Sequence, residues 1–237
     1  MHTTIIAEIG QNHNGDMGLA KRMISVTKEC GADVAKFQLY DVDLIFNKDF
    51  EWYKEAKQAQ LDHQQVIELK QECDRVGIEF LASIFDTTRL NWILELGIEK
   101  IKIASRSIYN KGLMAAAARS GKDMIISLGM YKGKKFPKID TKGKVDFLYC
   151  IAKYPTPLKD LKFSKVDFLK YAGFSDHTIG IEASMVAMAR GARIIEKHFT
   201  LDKNMHGPDH RCSMDPDELK KIAYFSKLAE EIISAKG

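Results

Sequence analysis

The chain has 237 residues, 45% hydrophobic and 29% charged, the balance of a water-soluble protein that buries a core. Its formal net charge of +4 falls well short of the basic surface that nucleic-acid binding needs, so no nucleic-acid partner is expected. No apolar run approaches the roughly 20 residues that span a bilayer, and MHTTIIAEIG has no basic segment ahead of a long apolar one. A cytoplasmic protein without membrane contact is the expectation. Cys30, Cys73, Cys150 and Cys212 lie far apart with no CxxC pair, which argues against a zinc knuckle or a disulfide scaffold and suits reduced thiols.

Along the chain, short apolar runs with β-branched or aromatic centres alternate with longer segments of helical spacing. TIIAEIG (4–10) precedes a helical stripe of Leu19, Met23, Val26 and Cys30 that stops at Gly31. DVAKFQ (33–38) leads to a helix over 61–77 that opens on Asp62 and closes on Gly77. IEFLAS (78–83) and IEKIKIAS (98–105) are followed by helices over 86–97 and 109–121. DMIISLG (123–129) is different. The segment after it, MYKGKKFPKIDTKGK (130–144), is basic, carries Pro137 and has few apolar positions, so a loop is predicted there. VDFLYC (145–150) and YAGFSDH (171–177) come next, then a helix over 179–191. ARIIEKHF (192–199) precedes a last helix over 215–235, with Asp215 as cap and Pro216 at its first position.

Eight strands alternating with helices in this length predict an α/β fold, a (β/α)8 TIM barrel, as a single domain over residues 1–237 with the crossover between strands 5 and 6 replaced by a loop. A doubly wound open sheet would show a Gly-rich phosphate turn after its first strand, and EIGQNHNGD is not GxGxxG.

In such a barrel the reactive groups gather at the carboxyl ends of the strands. Those ends offer Glu8 with Asn12, His13 and Asn14, then Lys36 and Gln38, Ser83, Lys102 and Ser105, and Ser127. Lys153 and Tyr154, Ser175, Asp176 and His177, and Glu196 and His198 follow, with Asp209, His210 and Arg211 just beyond. Side chains alternate along a strand, so Lys36 shares a face with Gln38, Lys100 with Lys102, and Glu196 with His198, while Lys197 points away. Lysines inside apolar strands either reach the rim and extend into water or await an anion such as a phosphate or carboxylate. His177 and His198 end neighbouring strands ~4.8 Å apart, so both rings can converge on one cation and leave coordination positions open for a substrate.

Together the runs IIAEIGQNHNGD, VAKFQ, YPTP, GFSDHTIG, EKHFT and GPDHRCSMDPDEL resemble the sialic acid synthase (N-acetylneuraminate synthase-like) family over almost the whole chain. The resemblance implies condensation of phosphoenolpyruvate with an N-acylated amino sugar in its open aldehyde form, with release of phosphate. It implies His177 and His198 as ligands of a divalent ion, usually manganese, with magnesium or cobalt as alternatives. Lys36, Lys102, Ser83, Ser105, Ser127 and Ser175 match positions around phosphoenolpyruvate. Glu8, Gln38, Tyr154, Glu196 and Asp209 match positions that line the sugar side or assist proton transfer. A homodimer is a further expectation from the resemblance.

Three departures from the family pattern fall on the sugar side. A C-terminal antifreeze-like domain, which in the family lends an arginine to the partner's site, is not expected here, leaving Arg106 or Arg211 as substitutes. The fourth-strand GSGE reads ASRS, so Ser107 stands where a carboxylate faces the sugar, and Ala152 stands where the family has Asn. Three readings stay open: a metal-dependent synthase of nonulosonic-acid type, which leads; a deoxy-keto-acid type synthase using another aldehyde, with Arg106, Lys132, Lys134 and Lys135 as cations for a sugar phosphate; and a catalytically impaired barrel acting as a binding or regulatory subunit.

Overall fold

The computed structural model describes residues 2–234. Eight parallel strands close into one barrel in sequence order: β1 (Thr4–Gly10), β2 (Val34–Leu39), β3 (Glu79–Ile84), β4 (Lys100–Ile103), β5 (Asp123–Ser127), β6 (Val145–Cys150), β7 (Gly173–Asp176) and β8 (Ile194–His198). The (β/α)8 expectation holds. Six helices cover the outside: α1 (Met17–Glu29), α4 (His63–Val76), α5 (Thr87–Glu95), α6 (Lys111–Arg119), α7 (Glu182–Ala189) and α8 (Pro216–Ser234). Ala235, the last residue of the final predicted helix, lies outside the described residues. No helix among the described residues is long and apolar enough to cross a membrane.

The period-2 alternation of the strands builds two cores. Outward residues such as Ile5, Ala35, Phe80, Ile101 and Ile195 pack against helix residues such as Leu19, Met23 and Leu90. Inward residues Ile6, Val34, Leu81, Ile125, Leu148 and Ile194 form a separate apolar cluster in the lumen. Two positions further along, Glu8, Lys36, Ser83, Ser127 and Glu196 make the inward layer polar, while β6 ends there on Cys150. The functional layer therefore rests on an apolar floor, which keeps water away from it from below.

Local capping explains where the helices begin. Asp62 caps α4 with a reciprocal box to Gln65, and Gly77 ends it at φ 73. Asp16 and Asp86 cap α1 and α5 through backbone N–H groups three residues on.

The predicted loop between β5 and β6 contains no α-helix. The crossover from β6 to β7 also lacks one, which the sequence reading did not separate out: only two 3₁₀ turns, Leu158–Asp160 and Phe163–Lys165, occupy it. Pro155 and Pro157 explain this, since each removes an N–H donor and pushes its predecessor out of the helical region. Aromatic side chains cover the barrel where two helices are missing. Phe136 packs on Phe147 and Tyr171 at 4.9 and 4.8 Å between ring centroids, and Phe163 on Phe174 at 5.1 Å. Such pairs contribute ~0.5–1.5 kcal/mol each beyond their buried area. Two short helices between β2 and α4, α2 (Val42–Ile45) and α3 (Tyr53–Gln58), were also unpredicted. Both are too short to carry a clear 3.6-residue period.

Candidate active site

Register places the strand-end groups side by side. Glu8 lies opposite Lys36 on one side and His198 on the other. Gln38 lies opposite Ser83, and Ser83 opposite Lys102. Cys150 lies opposite Ser175, and Ser175 opposite Glu196. A pocket at this end of the barrel is lined by Glu8, Lys36, Gln38, Ser83, Lys102, Ser105, Ser127, Tyr154, Ser175, His177, Glu196 and His198 among others. Twelve of the thirteen predicted site residues are thus brought together. Asp209 stands behind them.

β1 is bent to make room. Its register to β2 shifts between Glu8 and Gly10, and Gly10 sits at φ +56, where a Cβ would meet Glu8 Oε1 at 2.8 Å and Gln38 Nε2 at 3.2 Å. Only glycine fits there without displacing two pocket side chains.

The lysines do not reach out into water. Lys36 and Lys102 are 2% and 1% exposed. Lys36 Nζ donates to Ser83 Oγ at 2.9 Å, is ion-paired with Glu8, and lies 3.4 Å from Glu196 Oε2. Lys102 Nζ donates to Ser127 Oγ at 2.8 Å and to the Ile103 carbonyl at 3.2 Å, and lies 3.5 Å from Glu196 Oε1. Ser175 Oγ donates to the same Glu196 oxygen at 2.8 Å. Burial opposes ionisation of Glu196, but the charges of Lys102 and Lys36 and the Ser175 hydrogen bond outweigh it and hold the carboxyl at about 2. Burial lowers Lys36 to about 8; Glu196 pulls it upward and Lys102 pushes it further down.

His177 and His198 have ring centroids 5.8 Å apart, with Tyr154 tilted over His177 at 4.0 Å and edge-on to His198 at 6.1 Å. His177 Nδ1 lies 2.9 Å from the Ile151 carbonyl, which can only accept, so Nδ1 carries the proton and Nε2 keeps its lone pair. His198 Nδ1 is buried without a hydrogen-bond partner, 3.9 Å from Asp209 Oδ2. Burial, reinforced by the neighbouring His198, lowers His177 to about 4, and burial lowers His198 as well. Both rings are therefore neutral donors at physiological pH. The set fits a divalent ion: the ring spacing is within reach of one ion ~2.1 Å from a nitrogen of each, and the carbonyl bond on His177 is the usual way a ligating imidazole is oriented. No group of three His, Cys, Asp or Glu gathers for a closed metal site among the described residues, so an ion held here would keep open positions.

Two residues were missed. Cys150 ends β6 in the pocket wall, 3.9 Å from His177 Nδ1, and burial raises its thiol to about 12, so it is present as a neutral thiol. Gln11 donates to Asp209 Oδ2 at 3.1 Å and fixes that carboxylate. Neither carries a sequence signal beyond its neighbourhood. Several candidates do not join the pocket wall. Ser107 is buried in a 3₁₀ turn, Ser105–Ser107, and Lys153 pairs with Asp160 at 3.3 Å. Arg106 is not a free cation: it donates to the Ile45 carbonyl at 2.7 Å and lies 4.7 Å over the Phe46 ring. Lys132, Lys134 and Lys135 are exposed on the loop after β5.

Asn12 and His13, in the turn after β1, are structural. Asn12 Nδ2 donates to the Phe199 carbonyl and Ser213 Oγ, joining β1 to the chain beyond β8. His13 is fully buried, accepts from Gly15 N, and is lowered from 6.5 to about 4 by burial, with Asp16 opposing. Its folded value lies below its unfolded one, so as pH falls the unfolded chain takes the proton first. Stability present above pH 6.5 is then lost between pH 6.5 and 4, by about 3 kcal/mol for this residue. Denaturant unfolding across that window is expected to show the loss. His13→Asn, whose amide oxygen can accept from Gly15, is expected to reduce the slope by ~1.4 kcal/mol per pH unit.

Comparison with known proteins agrees with this geometry. The NeuB family model matches residues 23–236. The chain is 34% identical to the N,N'-diacetyllegionaminic acid synthase of Legionella pneumophila, over 98% of this chain and 73% of that one. It is also 34% identical to the human N-acetylneuraminate-9-phosphate synthase, over 98% of this chain and 71% of that one. Among solved structures, the N-acetylneuraminic acid (sialic acid) synthetase of Leptospira borgpetersenii superposes with a TM-score of 0.91 at 33% identity, covering 100% of this chain and 87% of that one. The chain belongs to the NeuB family, and with it to the carbon–carbon bond-forming synthases that use phosphoenolpyruvate.

Proposed function

We propose that this chain condenses phosphoenolpyruvate with the open-chain aldehyde of an N-acyl amino sugar, releasing phosphate and giving a sialic- or nonulosonic-acid product. The observation that carries the reading is the pair of buried ammonium groups, Lys36 and Lys102, each bonded to a strand-end serine in a pocket that also holds two neutral imidazoles. Buried cations on β2 and β4 need anions beside them; Glu8 and Glu196 hold that place in this structure, and the serines beside each ammonium are free to bond a substrate anion.

Charge balance supports a metal in the same pocket. Glu8 and Glu196 offset Lys36 and Lys102, and both imidazoles are neutral, so the lumen alone has no surplus positive charge for a trianionic substrate. A divalent ion on His177 and His198, manganese in this reading with magnesium or cobalt as alternatives, supplies that charge and, when bound, Lewis-acid polarisation of the aldehyde oxygen.

The chain's own groups do the rest. Lys36 and Lys102, with Ser83, Ser105, Ser127 and Ser175, bind the phosphate and carboxylate through charge-assisted hydrogen bonds. Glu196 neutralises the two ammoniums until the substrate arrives. As C3 of phosphoenolpyruvate bonds to the aldehyde carbon, the C=O π pair moves to the aldehyde oxygen, which takes up a proton. Water adds its oxygen to C2, and the C2–O bond to phosphate breaks with its electron pair on phosphate while the C2 hydroxyl gives up its proton and becomes the keto group. Glu8, whose Oε1 is buried without a hydrogen bond, takes the proton from that water. Gln38, Tyr154 and Asp209 lie toward the sugar.

With manganese and phosphoenolpyruvate, the purified chain is expected to release inorganic phosphate only when an acceptor from a panel of N-acyl and di-N-acyl amino sugars is added. A folded chain that releases none with any aldehyde acceptor overturns the reading.

A further inference from the structure

We infer that Asp176 and Lys197 are positioning residues that hold His177 and His198 at the spacing one cation needs; this rests on the metal reading of the site given above. The two residues lie immediately before the two histidines and face each other across β7 and β8 in register. Alternation turns them away from the lumen, yet they are 0% and 1% exposed. Lys197 Nζ lies 3.2 Å from Asp176 Oδ2 and donates to the Thr178 carbonyl at 2.7 Å. Asp176 Oδ1 accepts from Thr178 N at 2.8 Å, and Oδ2 accepts from Ser184 Oγ on α7 at 2.6 Å. One ion pair thus ties β7 to β8, the turn after His177 to β8, and both to α7.

A buried ion pair is a poor way to gain stability, because desolvation offsets the attraction, and an apolar pair would fill the space as well. Its directional bonds do something an apolar pair cannot. They pin the peptide on either side of His177 relative to the peptide carrying His198. Gly173 permits the close approach at the other end of β7, where a Cβ would lie 1.9 Å from the Ile194 carbonyl oxygen. On the lumen side Ser175 and Glu196 also bridge β7 and β8, but two residues before the histidines, and His198 Nδ1 makes no hydrogen bond. At the level next to the imidazoles the tie between the strands is the one behind them.

The test is the double variant Asp176→Asn/Lys197→Met, which removes both charges together, so that neither is left buried alone; the amide oxygen keeps an acceptor for Thr178 N, and the amide N–H can donate to Ser184 Oγ. Its thermal melt should remain cooperative. Manganese affinity, measured by electron paramagnetic resonance without substrate, is expected to fall ~10–100-fold, the usual effect of losing groups that orient metal ligands. In the metal-free protein the ¹⁵N signals of the His177 and His198 rings should shift and broaden. Ser184→Ala, which removes one tie and leaves the ion pair, should weaken manganese by about fivefold, as one hydrogen bond would; it decides the matter if the double variant does not fold. Unchanged affinity and unchanged ring signals in a folded variant overturn the inference. A wild-type chain that binds no manganese would overturn the metal reading instead, and the ring signals alone then decide the positioning role.

Discussion

Lys102→Met is expected to lower kcat/KM for phosphoenolpyruvate by about 10²–10³-fold, the effect of removing one preorganised charge-stabilising donor. Methionine matches the lysine stem in length, so the lumen stays filled above Ile125, its neighbour in register. What is lost is the ammonium bonded to Ser127, and with it one of the two cations beside Glu196. Glu196 keeps Lys36 and Ser175, so the variant is not left with an isolated buried charge. The kinetic signature should be a raised KM for phosphoenolpyruvate with a lowered kcat. Phosphoenolpyruvate should also lose most of its ability to raise the melting temperature, because ligand stabilisation follows affinity. Lys100→Met supplies the control. It lies on the same strand and in the same phase, but its Nζ is bound to Glu79 at 2.9 Å near the opposite end of the barrel, and its loss should leave kinetics unchanged. Wild-type KM in Lys102→Met would remove Lys102 from the anion site.

That contrast between Lys100 and Lys102 shows what a sequence can and cannot carry. Alternation assigns both to one face, which is right, but phase does not give height along the barrel. Only closure of the sheet decides that Lys102 meets Ser127 and Glu196 while Lys100 meets Glu79. The strand ends themselves were legible, because each apolar run turns polar at its carboxyl end and the barrel collects those ends in one place. Lateral partnerships were not. Glu196 bridges two lysines two and four strands away around the barrel wall, a contact set by the narrow lumen and not by any spacing in the chain. Lys197 was correctly turned from the lumen, but that it is buried against Asp176 depends on α7 covering it. The missing β6–β7 helix had a signal in Pro155 and Pro157; the aromatic cover that replaces it had none.

The sugar side is where sequence and structure part most. Ser107 and Ala152 drew attention as departures from a family pattern, yet Ser107 is folded into a 3₁₀ turn and Ala152 is exposed, and neither lines the pocket. The wall there is formed by Ala104 and Tyr154, with Arg106 clamped onto the α2 segment. An acceptor would meet a mainly neutral surface on that side, so recognition by hydroxyl and acylamino groups suits it better than recognition by charge.

His198→Ala is expected to reduce turnover by at least about 10³-fold and to abolish manganese binding at the pocket. Several kcal/mol of Lewis-acid stabilisation depend on the ion, and each ~1.4 kcal/mol is a factor of ten in rate. His198 is the cleaner of the two histidines to remove. His177 also donates to the Ile151 carbonyl, so His177→Ala would break a hydrogen bond to the chain after β6 and confuse stability with chemistry. His198 makes no hydrogen bond through Nδ1, and its removal breaks none there. The ammonium and serine groups proposed above for phosphoenolpyruvate all lie outside β8, Ser175 on the adjacent β7, so on that reading the variant should still be stabilised by phosphoenolpyruvate in a melt. Added imidazole, free to enter the space left beneath Tyr154, should restore part of the manganese-dependent turnover. Activity within tenfold of wild type would remove the metal from His198.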